Sequence, residues 1–151
     1  PSPCEGWSAK EVLDHVIDTQ RDVFGNRGLE LGPRPEGAPH EAWAAHAAAV
    51  RSAVTDEETL LATYDSFFGP TTLADTLLSF YRFDLIIHAW DIQRAAGNDL
   101  ELSDTELAFL ETCIPSWGDI FYQDGICKRP VEVPDDADRQ TRVLALTGRR
   151  C

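Results

Sequence analysis

The 151-residue sequence contains no methionine, no long apolar run and few basic residues. No apolar stretch approaches the roughly 20 residues that a bilayer-crossing helix needs, and no signal peptide is visible. Thirteen Lys and Arg residues stand against 26 Asp and Glu residues, so the formal net charge is −13. Because such a surface repels phosphate groups, the composition argues against nucleic acids and anionic membranes as partners.

Cysteine pairs with the spacing of a metal or redox motif are also missing. The four cysteines are Cys4, Cys113, Cys127 and Cys151, and none belongs to a CxxC pair. The spacing therefore argues against a zinc knuckle or a thioredoxin-type site. A chain of this length buries roughly 70% of its unfolded surface, so it needs no disulfides to fold. We expect one domain over residues 1–151, free thiols, a reducing cytoplasm, and Cys113 in the core.

Signals for helices dominate what is present. Ser8 and Glu11 fit a capping box, and an apolar stripe at helical spacing follows, which predicts a helix from Ser8 to about Phe24. Further helices are predicted over residues 40–54, 71–96, 103–114 and 139–146, with loops over 25–39 and 124–138. In the second helix we expect one face formed by Trp43, Ala47 and Val50.

Several boundaries follow from glycine and proline. Gly69-Pro70 is expected to break the chain, and Gly97-Asn98 to cap the longest helix in a left-handed conformation. Pro115 is expected to interrupt or kink the helix that begins after Ser103. Residues 59–68 fit either a helix or an extended segment, and residues 131–133 fit a short strand. The default architecture is a bundle of four or five helices.

The informative chemistry lies on the longest predicted helix. Asp84 and His88 are four residues apart, so their side chains lie on one face, and Asp91 follows three residues later. Apolar residues surround them, and a carboxylate in such surroundings needs a partner or a cation. Two interpretations remain open at this point. Asp84 and His88 form a hydrogen-bonded pair, or they are two ligands of a divalent metal.

A metal site needs a third ligand, and the histidines His15, His40 and His46 are the candidates. His15 lies in the middle of the first predicted helix. His40 begins the second helix next to a proline, as expected of a solvated first turn, and His46 fits either the surface or the core. Composition does not choose among the three.

Several blocks of the sequence together resemble a known family. The blocks are Pro3-Cys4-Glu5-Gly6-Trp7-Ser8, Asp14-His15, Phe67-Phe68-Gly69, Asp84-Leu85-Ile86-Ile87-His88-Ala89-Trp90-Asp91, Arg94-Ala95-Ala96-Gly97 and Val131-Glu132-Val133-Pro134. Over nearly the whole chain they resemble the DinB-like superfamily, in its actinobacterial branch related to mycothiol-dependent maleylpyruvate isomerase. The resemblance implies an all-α fold, a four-helix bundle with an unusual crossover connection, followed by a short irregular tail.

The resemblance also implies a metal centre. Members of the family often bind zinc or nickel through a histidine on one helix and two residues four apart on a later helix. Carried over, these ligands are His15, Asp84 and His88, although the isomerase pattern has glutamate at the position of Asp84. Two imidazoles and one carboxylate leave coordination positions open for water or substrate.

The activity implied by the resemblance is chemistry on a low-molecular-weight thiol. Mycothiol or a similar thiol would be a co-substrate, held as an anion, and would add to an electrophile for S-transfer or isomerisation. Trp7, Trp90 and Tyr81 are candidates for the pocket wall or for the core. Asp91 either orients a ligand histidine or pairs within the bundle. A non-catalytic module that binds a metal or a small molecule, and a metal-free structural relative, are the alternatives.

Two expectations concern what lies around the bundle. In the resembling family a helix and its connection, roughly 30–40 residues, precede the Pro-Cys-x-Gly-Trp segment. We therefore expect that the first bundle helix is missing from this chain, and that a partner chain or a longer native protein covers the apolar faces it would leave. The resemblance also implies a homodimer built through bundle faces, whose interface would be the apolar part of an acidic surface.

Overall fold

The computed structural model describes residues 1–67 and 69–150, and it is mostly helical, as the sequence predicts. Phe68 of the Phe67-Phe68-Gly69 block and the thiol of Cys151 lie outside the described residues. In chain order the elements are α1 (Ala9–Gly25), α2 (Pro39–Ala53), α3 (Glu57–Leu61), β1 (Thr63–Ser66), β2 (Gly69–Thr72), α4 (Leu73–Thr76), a π-helical turn (Leu77–Tyr81), α5 (Arg82–Ala95), α6 (Asp104–Trp117), a 3-10 turn (Gly118–Tyr122) and α7 (Arg139–Ala145). Within this part of the chain, no helix combines the length and apolar character needed to cross a membrane.

Helix α1 begins where its capping box predicts. The backbone N–H of Glu11 donates to the Ser8 hydroxyl, and the backbone N–H of Ser8 donates to the Glu11 carboxylate at 2.7 Å. Both bonds satisfy donors that a helix N-terminus otherwise leaves open. The apolar stripe of α1 is buried and packs along α5, with Val12, Val16, Ile17 and Phe24 in the core.

A β-hairpin occupies the region that the sequence left ambiguous. Strand β1 pairs antiparallel with β2, with Tyr64 opposite Thr71 and Ser66 opposite Gly69. The helix predicted from about Thr71 begins two residues later, at Leu73, because Thr71 and Thr72 belong to β2. Thr72 instead caps the helix that follows, since its hydroxyl accepts from the backbone N–H of Asp75.

The long helix then runs from Leu73 to Ala95 with a π-helical turn inside it. A π turn holds one more residue than an α turn, so it rotates the residues beyond it relative to an uninterrupted helix. The helix ends as predicted: Gly97 has a φ of +81°, and the N–H groups of Gly97 and Asn98 donate to carbonyls of the last turn.

Two local predictions in the second half of the chain are wrong. Helix α6 continues through Pro115 to Trp117 and ends at Gly118, whose φ is +57°. Pro115 has no N–H to donate to the Glu111 carbonyl, and because only two helical residues follow it, this loss is confined to the last turn of α6. Residues 131–133 form no strand; the Val131 N–H donates to the Ala145 carbonyl at 3.0 Å as an isolated contact.

The main core lies where α5, α6 and α7 meet the 3-10 turn. It consists of Phe83, Ile86, Ile87, Trp90, Leu102, Leu107, Leu110, Cys113, Ile114, Phe121, Val143 and Leu144. Cys113 is buried here as a free thiol, as expected, and burial raises its pKa. This core fixes α5 on one side, while α1 packs on the other, and together they position the site described below.

The most buried residues of helix α2 lie beside the face predicted from the sequence. Ala42 and His46 are buried, whereas Trp43, Ala47 and Val50 are half-buried. The His46 side chain is 0% exposed, and its Nε2 lies 2.9 Å from Gln20 Oε1 of α1. Burial, with Arg21 and Arg34 nearby, lowers the pKa of His46. Its Nδ1 has no hydrogen-bond partner in the part of the chain that the structure describes, so protonation of His46 would add a buried charge.

We expect the free energy of unfolding to fall as the pH drops below about 6.5, the ordinary histidine pKa. In that range the unfolded chain binds a proton at His46 that the folded chain resists, so acid favours unfolding. In urea titrations with a chelator present, His46→Leu should reduce the pH dependence between about pH 5 and 6.5. The matched variant at exposed His40 of the same helix should keep it. Equal pH dependence in the parent and His46→Leu would contradict this.

Candidate metal centre

Three ionisable side chains meet where α1 crosses α5. His15 lies midway along α1, and Asp84 and His88 lie one turn apart on α5. Their ligand atoms all lie within 4.8 Å of one another. The rings of His15 and His88 meet edge to face, with centroids 5.4 Å apart. The structure thus brings together the three residues that the family resemblance selects.

Asp84 is the acidic member of this group. Its Oδ1 lies 3.2 Å from Nε2 of His88, and the side chain is 16% exposed. Its Oδ2 is buried and has no hydrogen-bond partner among the described residues. A buried carboxylate oxygen without a partner costs free energy, and a cation between Asp84, His15 and His88 would supply that partner. The donor set therefore fits a divalent metal.

The two histidines have opposite electrostatic surroundings. Burial, reinforced by the neighbouring His88, lowers the pKa of His15 against the opposing effect of Asp84, so His15 is neutral and able to act as a ligand. For His88, burial lowers the pKa, but hydrogen bonds to Asp84 and Asp91 outweigh it and raise the pKa to about 11. Without an ion, His88 is a cation between two carboxylates. A metal would replace the proton on Nε2.

Asp91 holds the other side of the His88 ring. The Nδ1–H of His88 donates to Asp91 Oδ2 at 2.9 Å, and the Asp91 side chain is 0% exposed. Arg149 donates to both oxygens of Asp91, from Nε at 2.8 Å and from Nη2 at 2.6 Å. Burial raises the pKa of Asp91, but the bonds from Arg149 and His88 dominate and lower it to about 2. Asp91 is therefore a carboxylate that fixes the orientation of the His88 imidazole.

A second donor group shares His88 but suits a cation less well. Cys4, His88 and Asp91 also bring their ligand atoms within 4.8 Å of one another. The Cys4 thiol donates to Asp91 Oδ2 at 3.2 Å, and Nη2 of Arg149 lies 3.5 Å from Cys4 Sγ. The guanidinium cation already neutralises Asp91 and would repel a metal ion. The group of His15, Asp84 and His88 is the better candidate.

A cavity of about 650 Å³ opens beside the three candidate ligands. Trp7 lines it, with its ring centroid 4.9 Å from that of His15. Trp90 lies instead in the core between α5 and α6, and does not line the cavity. Tyr81 is also buried elsewhere, with its hydroxyl donating to the Thr19 carbonyl at 2.6 Å. Of the candidate aromatic residues, Trp7 alone reaches the site.

The other two candidate histidines lie away from this cluster. His40 is exposed in the first turn of α2, as its position after a proline indicates. His46 is buried between α1 and α2, where Gln20 binds it. Of the three candidate histidines, only His15 lies close to Asp84 and His88. Its position there results from the packing of α1 against α5.

Arg149 is the site residue that the sequence did not reveal. It follows a tight turn at Gly148, whose φ is +76° and whose absent Cβ would lie 2.5 Å from the Lys128 Cβ. This close approach brings the C-terminal segment against residues 128–129 and directs Arg149 inward. An aspartate among apolar residues, such as Asp91, indicates that a cationic side chain must pair with it. The sequence does not show which cationic side chain that is.

Comparisons with known proteins reach two curated relatives. The chain is 30% identical over 112 residues to the Uncharacterized protein MT0763 of Mycobacterium tuberculosis (strain CDC 1551 / Oshkosh). It matches the Uncharacterized protein Rv0738 of strain ATCC 25618 / H37Rv over the same length and at the same identity. The match covers 72% of this chain and 59% of each relative, so the chain spans about three fifths of their length. No family model and no solved structure matches.

We expect Asp91→Asn to lower the free energy of unfolding by about 3 kcal/mol, because it leaves the buried Arg149 without a counter-charge. Asp84→Asn, on the same helix, should cost no more than about 1 kcal/mol, since His88 keeps Asp91 as its partner. Urea denaturation of both variants in the presence of a chelator measures the difference. Equal losses would show that the Asp91–Arg149 pair has no special role in stability.

Proposed function

We propose that this chain belongs to the DinB-like superfamily and binds one divalent metal ion, zinc or nickel, at His15, Asp84 and His88. The observation that carries the proposal is that a carboxylate oxygen of Asp84 lies within 4.8 Å of a ligand atom on each imidazole, while the buried Oδ2 of the same carboxylate has no hydrogen-bond partner among the described residues. Two imidazoles and one carboxylate are a common donor set for catalytic zinc, and imidazole also suits nickel.

The reaction we propose is the addition of a low-molecular-weight thiol, such as mycothiol, to a small electrophile, leading to S-transfer or isomerisation. The sequence resemblance to the mycothiol-dependent isomerase branch supports it, and so does the cavity that the three ligands share. When bound, a divalent ion lowers the pKa of a coordinated thiol or water and so supplies a nucleophile at neutral pH.

The chain's own residues would hold that chemistry in place. Asp91 accepts from Nδ1 of His88 and so leaves Nε2 for the ligand position. Arg149 neutralises the charge of Asp91, so this carboxylate would not compete with His15, Asp84 and His88 for the metal ion. Trp7 packs against His15, with ring centroids 4.9 Å apart, and would reduce the access of water to that ligand.

Metal analysis tests the first part of the proposal. Protein purified without chelator should carry close to one equivalent of zinc or nickel, measured by mass spectrometry of the ion. His15→Ala and His88→Ala should lose most of it, whereas His40→Ala, with an exposed histidine outside the cluster, should not. A metal content below about 0.2 equivalents per chain, unchanged after adding zinc or nickel, would refute the metal site and favour a structural Asp84–His88 pair.

Turnover tests the second part. Metal-loaded protein incubated with a thiol and a panel of electrophiles should consume thiol faster than buffer does. His15→Ala and His88→Ala should reduce that rate by about 100-fold or more, while His40→Ala leaves it unchanged. If no electrophile reacts above background, or if the ligand variants keep the parent rate, the enzyme proposal fails. A ligand that raises the Tm without turnover would then identify a non-catalytic binding module.

A further inference from the structure

Four aromatic rings contribute to the cavity wall. They come from the hairpin turn, the long helix and the 3-10 turn: Phe67, Phe80, Phe83 and Phe121. Phe83 and Phe121 pack edge to face at 5.3 Å, and both belong to the main core, so these two rings form a rigid part of the wall. A volume of about 650 Å³ suits a small organic ligand that buries most of its surface.

The charged side chains that line the cavity offer no ready site for a carboxylate. Arg149 binds both oxygens of the buried Asp91, Lys128 donates to Glu5 at 2.7 Å, and His88 lies between the carboxylates of Asp84 and Asp91. A ligand carboxylate would have to compete with these carboxylates, and displacing Asp91 would leave it buried without its cation. Asp124 adds a further negative charge to the lining. The aromatic part of the cavity therefore favours a ligand without charge.

From these two observations we propose that the cavity selects an electrophile with an uncharged, apolar body and rejects one that carries free carboxylates. The inference rests on the proposed function for the reaction, but its binding part concerns the cavity alone. In the reaction, the sulfur forms a bond to one carbon of an electron-poor double bond. The π pair of that double bond takes up the thiol proton at the neighbouring carbon, so nothing is oxidised or reduced.

A pair of probes that differ only in charge tests the binding part. Diethyl succinate is neutral, succinate is a dianion, and neither reacts with thiols. Titrated into metal-free protein and followed by NMR chemical shifts, diethyl succinate should bind at least about tenfold more tightly than succinate. Equal affinities, tighter binding of succinate, or no binding of either probe would overturn the inference.

Three variants test whether the probe binds in this cavity. Phe67→Ala removes a ring that lines the cavity yet is 65% exposed, and should weaken diethyl succinate binding about fivefold. The matched control is Leu78→Ala, which changes a side chain that is 68% exposed and outside the lining, and should change nothing. Glu5→Gln frees Lys128 and should strengthen succinate binding about two- to fivefold. Equal effects of Phe67→Ala and Leu78→Ala would contradict this placement.

The reactive counterparts, diethyl maleate and maleate, test the reaction with 2-mercaptoethanol as a neutral thiol. Each rate is divided by its own uncatalysed rate, because the diester reacts faster in water. Metal-loaded protein should enhance the diester reaction at least about tenfold more than the maleate reaction. An equal or greater enhancement for maleate would overturn the inference. If the protein takes up no metal and shows no turnover, yet binds diethyl succinate more tightly than succinate, the proposed function is refuted and the inference about the cavity stands.

Discussion

The buried carboxylate of Asp91 is the constraint on which the rest of the site depends. It has no contact with solvent, so its charge must be balanced inside the protein. Arg149 supplies the balance from the C-terminal segment, His88 donates to it from the same helix, and Cys4 donates to it from the segment before α1. One side chain thereby ties together three parts of the chain and sets the orientation of a candidate ligand.

The packing of α1 on α5 provides the second requirement. A helix alone can place Asp84 and His88 on one face, but it cannot bring a third donor to the same point. The apolar stripe of α1 packs against α5. This packing brings the His15 ring close to the His88 ring and the Asp84 carboxylate. The same stripe that stabilises the fold therefore also determines the geometry of the centre.

Local patterns predicted much of this architecture, and long-range contacts explain what they missed. The capping box at Ser8 and the glycine cap at Gly97 act over three to five residues, so the sequence displays them directly. The face of α2 that carries His46 and the position of Trp90 in the core depend on which neighbours pack there, and no local pattern records that. Arg149 is the clearest case, since its partner lies 58 residues away.

Contacts between residues that line the cavity join distant parts of the sequence. Cys4 and Arg149 are separated by 145 positions, and Glu5 and Lys128 by 123. Loop closure over such separations costs chain entropy that helical hydrogen bonds, which join residues four apart, largely avoid, so we expect these contacts to form late in folding. Helices can therefore form before the cavity has assembled. A measurement of ligand binding in the cavity would then report complete folding, which helix content alone does not.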